Sequence, residues 1–133
     1  LNAYNLSMAH HRLTHPVVVH EFGHSFAGLA DEYGYEYEQI PMYPHDIEPW
    51  EPNITTLVDF HGKWENLIQK KTPIPTPPTA ANRHHVGVYE GAGYALKGVY
   101  RPTMDCRMRT NENPEFCPAC QKAITHLIEF YTK

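Results

Sequence analysis

The first sustained apolar pattern runs through Val17, Val18, Val19, Phe22, Phe26, Ala27, Leu29 and Ala30. Val19, Phe22 and Phe26 recur after three and then four positions, the spacing of one helical face, and Val18 and Leu29 widen that face. Thr14, ahead of His15 and Pro16, supplies a helix start, because proline in a first turn lacks an N–H that would have had no partner there anyway. The pattern predicts a mostly buried helix over about 16–29, ending near Gly28 to Ala30. The residues before it are polar and histidine-rich, without a clear period.

Residues 31–58 have no strong period. They carry Tyr33, Tyr35, Tyr37 and Tyr43 and prolines at 41, 44, 49 and 52, and read as a long loop held by aromatic packing or by a ligand. A short helix is expected around Asp59 to Gln69, with Phe60, Trp64 and Leu67 on one side. Residues 72–82 (TPIPTPPTAAN) are proline-rich and extended. VGVYEGAGYALKGVY, residues 86–100, reads as two short strands or turns around Gly91 and Gly93. Ala119, Ile124, Leu127, Ile128 and Tyr131 return at helical spacing and predict a last helix over about 118–131. No internal repeat is present. The expectation is an α+β chain of one domain's size, 133 residues.

Composition narrows the function classes. Hydrophobic residues are 41% and charged residues 20%, ordinary values for a packed domain. The formal charge is -4, with no basic stripe, which argues against a nucleic-acid partner. No apolar run approaches the roughly 20 residues of a membrane span. No signal-peptide pattern is visible at the start. The ten histidines stand out. Cys106, Cys117 and Cys120 all fall late and fit either a local disulfide with one odd thiol or a metal knuckle.

Residues 20–24 read HEFGH. Four helical positions are about 400° of rotation, so His20 and His24 project side by side and can share one tetrahedral metal ion. Glu21 stands at the edge of the same site, placed to accept a proton from water rather than to bind the ion. Three consecutive valines precede the motif, and an unpaired Glu on such an apolar element is costly unless it has a partner or a task. Asp31 follows His24 by seven residues, and on a continuous helix it would lie about 10.5 Å further along the axis. It becomes a third ligand only if the helix breaks, and Gly28 can supply that break by adopting a left-handed conformation. A solvent-exposed turn is the competing reading of Asp31, and Glu32, Glu38 or a later Glu are competing ligands.

The stretch VVVHEFGHSFAGLADEY at 17–33 resembles the igalysins, the IgA-cleaving metallopeptidases of the metzincin group. TTLVDFHGKWENLI, the PTP of 75–77, VGVYEGAGY and GVYRPTMDCRMRTNENPEFCPACQKAI resemble later segments of that family. The resemblance spans most of residues 15–130. It implies a zinc-dependent endopeptidase, with His20, His24 and Asp31 as zinc ligands and Glu21 as catalytic acid/base. Met108 is implied as the methionine turn beneath the metal, with Met104 as runner-up; core packing is the plain alternative for either. The implied fold is the C-terminal part of a metzincin-like zincin catalytic domain, a single partial domain over 1–133. It has an active-site helix, long irregular loops, a methionine turn and a C-terminal helix, and the upper sheet is largely absent.

Two departures follow from that comparison. The usual metzincin motif has its glycine three residues and its third ligand six residues after the second His; here they fall at four and seven, as if one residue were inserted in the last helical turn. Only 15 residues precede the helix, so the chain reads as part of a larger catalytic domain. A tyrosine that some metzincins place soon after the methionine turn is replaced by Thr110, leaving Tyr94, Tyr100 and Arg109 as substitute oxyanion donors. Glu90 is a candidate for the substrate pocket, and His84 and His85 read as surface residues. The partner expected is a protein or peptide substrate, with oligomeric state open. The resemblance implies a secreted or cell-envelope bacterial protein, in which Cys106 paired with Cys117 or Cys120 would tie the methionine-turn loop to the last helix. A zinc knuckle from the cysteines ranks lower, for want of a visible further ligand pair. Two other readings are a non-catalytic zinc-binding module and a gluzincin-type peptidase with Glu48 or Glu51 as third ligand.

Overall fold

The computed structural model of the chain describes residues 10–36 and 41–133. Tyr37 and Glu38 lie outside the described residues. Two helices and one hairpin account for the regular structure: α1 (Thr14–Ala27), β1 (Tyr89–Ala92), β2 (Ala95–Arg101) and α2 (Pro118–Thr132), with single 3-10 turns at Glu65–Leu67 and Ala80–Asn82. This is a small α+β arrangement with a two-stranded antiparallel sheet. Among the described residues no helix is long and apolar enough to cross a membrane.

Helix α1 ends by a backbone device that its sequence encodes. Gly28 adopts φ 63°, its N–H bonds the His24 carbonyl at 3.1 Å, and the Leu29 N–H reaches back to the Gly23 carbonyl at 3.2 Å. This paired closure satisfies carbonyls that the helix end would otherwise leave bare. The chain then reverses, and the next residues run between two apolar clusters. Leu29 packs with Trp64, Val88, Cys106, Met108, Cys117, Ala119 and Cys120; Ala30 packs with Ile54, Ala92, Ala95 and Val99.

The expectation of a mostly buried α1 is not met. Of its residues only Gly23 is fully buried, and Val18 and Phe22 stay 48% and 49% exposed. The helix presents its Gly23 side to Met108, Phe116 and Leu29, while Phe22 stacks on Phe26 at a ring separation of 5.0 Å on an uncovered side. Apolar periodicity identified the helix correctly, but it does not say how much of an apolar face has a neighbour.

The short helix expected around Asp59 to Gln69 reduces to the single turn Glu65–Leu67. Gly62 sits in that stretch at φ 83°, which right-handed helix cannot contain. The apolar side survives without the helix: Trp64 is fully buried, Phe60 meets it edge-on at 4.9 Å, and its Nε1–H bonds the Gly87 carbonyl at 2.8 Å. In α2 the N-terminal turn is buried through Ala119 and Cys120, but Ile128 and Tyr131, which recur at the same helical spacing, are exposed.

The hairpin turns through Gly93 and Tyr94, both at positive φ (55° and 69°), the backbone of a tight two-residue turn that matches strand twist. For tyrosine that conformation is unfavourable by roughly 1–2 kcal/mol. It is held from both sides by bonds to the post-helix segment. The Tyr94 N–H donates to the Tyr33 carbonyl at 2.8 Å, the Tyr35 N–H donates to the Tyr94 carbonyl at 3.2 Å, and the Gly93 N–H donates to the Asp31 carbonyl at 2.9 Å. The hairpin therefore fixes the backbone that follows α1. A second brace comes from Asn53, fully buried, whose side chain accepts from the Ala30 N–H at 2.7 Å and donates to the Ala30 carbonyl at 2.9 Å.

Candidate metal centre

His20 and His24 lie one turn apart on α1, and their Nε2 atoms approach to 3.1 Å. The reversal at Gly28 returns Asp31 to them: its Oδ1 is 2.9 Å from His20 Nε2 and 3.1 Å from His24 Nε2. The helix runs to Ala27 before Gly28 closes it, four residues after His24 and three before Asp31.

The opposite edge of each imidazole is fixed. His20 Nδ1–H donates to the Arg107 carbonyl at 3.0 Å, and His24 Nδ1–H donates to the Leu29 carbonyl at 2.6 Å. A carbonyl can only accept, so in neutral histidine the proton is on Nδ1 and the Nε2 lone pair points inward. Two Nε2 lone pairs and a carboxylate oxygen then face one another at about 3 Å, an arrangement that repels itself unless a proton or a metal cation sits between. Donors at about 2.0–2.1 Å from a tetrahedral zinc lie about 3.3 Å apart. The observed separations, the nitrogen and oxygen donor types and the carbonyl-held outer nitrogens all fit zinc.

The electrostatics agree. Burial alone would raise Asp31, but hydrogen bonds from His20, His24 and Tyr94 hold its carboxyl well below the usual carboxylate range. Burial alone would lower both imidazoles, but their bonds to Asp31 outweigh it and both are raised.

Glu21 lines a cleft of about 420 Å³ together with His24, Gly28, Ala30, Asp31, Tyr43, Trp50, Glu51 and Tyr94. One of its carboxylate oxygens lies within 4.8 Å of the ligating nitrogens of His20 and His24. Trp50, 72% exposed, lies over Gly28, where a Cβ would come within 2.7 Å of the indole. Tyr94 donates a short hydrogen bond to Asp31 Oδ2, leaving Oδ1 for the imidazoles. Tyr43 donates to Glu51 Oε1 at 2.8 Å on the cleft wall.

Met108 is fully buried against α1; a Cβ on Gly23 would lie 2.7 Å from its sulfur. Its carbonyl accepts from the Glu32 N–H at 2.8 Å, and the preceding Arg107 carbonyl orients His20. Met108→Ala is expected to lower unfolding stability by about 2–5 kcal/mol. Met108→Leu should cost less than about 1.5 kcal/mol, both read by urea denaturation. Met104 is half-buried, and its carbonyl accepts from Arg101.

Other expected site residues are placed elsewhere. Glu90 pairs with Lys97 at 2.8 Å and lines a separate hollow with Thr76 and Leu96. Tyr100 bridges its backbone to Thr55, and Arg109 lies in a hollow with Arg83 and Asp105. None of the three lines the cleft. His84 and His85 are exposed as expected. Glu48 is committed to Lys63 at 2.7 Å and to the Thr56 hydroxyl at 3.1 Å.

The cysteine pairing expected from the resemblance is not formed. Cys106, Cys117 and Cys120 are free and buried, and the Cys106 and Cys120 sulfurs stand 3.8 Å apart, against about 2.05 Å for a disulfide. They gather instead around Glu32, which is 0% exposed. Nothing in the local spacing pointed to Glu32, because the fold delivers it from more than 70 residues upstream in sequence. Asn53, Tyr43 and Trp50 are further residues of the site region that no motif marks, and Glu51, a candidate third ligand in the gluzincin-type reading, stands with them on the cleft wall; all four sit in the aperiodic loop.

The family model for IgA peptidase M64 matches the chain over residues 2–84 and 78–128. No curated protein matches it.

Proposed function

The chain belongs to the IgA peptidase M64 family, and from that membership and the geometry of the histidine pair we propose that it is a zinc-dependent endopeptidase of metzincin type. His20, His24 and Asp31 hold the ion, Glu21 is the general base, and Met108 is the methionine turn. The observation that carries this reading is the convergence of two inward Nε2 lone pairs and Asp31 Oδ1 on one point.

Bound there by His20, His24 and Asp31, zinc would supply Lewis acidity toward the scissile carbonyl and the attacking water. The Glu21 carboxylate takes the proton from the attacking water and delivers it to the leaving amine nitrogen. Arg107 and Leu29 carbonyls keep both imidazoles in the required tautomer. Tyr94 acts as a positioning residue: by occupying Asp31 Oδ2 it directs the other oxygen inward. The exposed Trp50 and the walls around Tyr43 and Glu51 offer an aromatic and polar surface to an extended peptide. The same family resemblance supports export to the cell envelope or beyond.

The test is hydrolysis of an unstructured protein such as casein, followed by mass spectrometry of the products. Cleavage should vanish on treatment with 1,10-phenanthroline and return with added zinc. Cleavage that survives complete metal removal overturns the proposal. Zinc held by the histidine pair with no hydrolysis of any tested protein would make the chain a non-catalytic zinc-binding module instead.

A further inference from the structure

We propose that Glu32, Cys106, Cys117 and Cys120 form a second, structural metal site that takes a thiophilic divalent cation of tetrahedral preference, namely zinc. One donor atom from each residue lies within 4.8 Å of every other, and all four residues are buried. Three sulfurs and one carboxylate oxygen make a four-donor set of the closed, structural kind.

The spacings match such an ion more closely than they match a disulfide or chance packing. Sulfurs at about 2.3 Å from a tetrahedral zinc stand about 3.8 Å apart, and a sulfur and an oxygen about 3.5 Å apart. Here Cys106 Sγ and Cys120 Sγ are separated by 3.8 Å, and Glu32 Oε1 lies 3.2 Å from Cys120 Sγ and 3.9 Å from Cys117 Sγ. Cys117 and Cys120 are the N-cap position and first turn of α2, in the sequence CPAC, so both stand at the N-terminus of the helix.

Independent features point to an acceptor-rich centre. The N–H groups of Cys117 and Met108 aim at Cys106 Sγ, at 3.2 and 3.5 Å, which is how backbone supports a thiolate ligand. Asn53 Nδ2 donates to Glu32 Oε1 at 2.9 Å and so orients the carboxylate. Glu32 Oε2 is buried with no hydrogen-bond partner, a state that costs free energy unless a cation compensates it.

The placement assigns the ion a role. Glu32 follows Asp31, Cys106 stands two residues before Met108, and Cys117 and Cys120 begin α2. One ion would staple three segments that otherwise meet through packing and a few hydrogen bonds, and would fix the backbone on which Asp31 and the Arg107 carbonyl are carried.

Zinc per chain, measured on purified protein by plasma mass spectrometry, should be two, and cobalt substitution should give a near-ultraviolet sulfur-to-cobalt charge-transfer band. The double variant His20→Ala/His24→Ala should keep one ion and the full band. Cys120→Ser should lose the band and one ion. Should Cys120→Ser fail to fold, the histidine double variant decides alone. Absence of both zinc and the charge-transfer band in that variant overturns the second site. So does a count of one free thiol in unreduced, denatured protein, which would reveal a disulfide. These readouts come from sulfur, so they are separable from any failure of the peptidase reading, which is tested at the histidines.

Discussion

Replacing Glu21 by alanine is expected to lower kcat on a protein or peptide substrate by about 10²–10⁴-fold while the zinc content stays that of the unaltered protein. The expectation rests on position. Glu21 lies beside His20 on α1, reaches within 4.8 Å of a ring nitrogen of each histidine, and faces the cleft, while Asp31 Oδ1 stands closer, 2.9 and 3.1 Å from the two Nε2 atoms, as the proposed third ligand. Removing it therefore subtracts a proton acceptor and leaves the donor set intact. Glu21→Gln sharpens the argument, since it keeps the shape and removes the basicity. It should fall as far as the alanine variant, with kcat and kcat/KM dropping together, because the proton transfer belongs to the transition state rather than to substrate binding. A loss of less than a few-fold, with zinc still bound, would reduce Glu21 to a solvated helix residue and end the general-base mechanism.

How far the site was legible in the sequence follows from what each part depends on. His20 and His24 are tied by helical geometry alone, so their spacing sufficed. The return of Asp31 needed one further local fact, that Gly28 takes a left-handed conformation, and glycine advertises that freedom. The hairpin announced itself through Gly93 and alternating residues in 86–100, and α2 through its period. What could not be read depends on tertiary neighbours. The exposure of Val18 and Phe22 is set by what covers α1. The loss of the helix near Trp64 is set by a left-handed Gly62 that apolar spacing does not report. The gathering of Cys106, Cys117 and Cys120 around Glu32, and the grip of Asn53 on Ala30, join residues far apart in the chain, which no local spacing reports. Glu90 was attractive as a carboxylate beside glycines, but its strand position turns it to Lys97.

Asp31→Ala is expected to weaken zinc binding at the histidine pair by at least about 100-fold and to abolish hydrolysis with it. Loss of a partner that merely orients a ligand costs 10–100-fold, and Asp31 is placed as a ligand itself. The carboxylate is 5% exposed and its Oδ1 is shared between both Nε2 atoms, so its removal takes away the anionic oxygen that bridges the two imidazoles. Asp31→Asn keeps an oxygen at the same place but drops the negative charge, and should fall between the two. Affinity is best read by competition with a chromophoric chelator, which registers the histidine site whatever the occupancy of the cysteine cluster. The same measurement decides between ligand sets. Glu48 is held by Lys63, and Glu51 is held at Oε1 by Tyr43. If Asp31→Ala retained full affinity and Glu51→Ala lost it, the third ligand would be a glutamate from the aperiodic loop. The reversal at Gly28 would then serve packing alone.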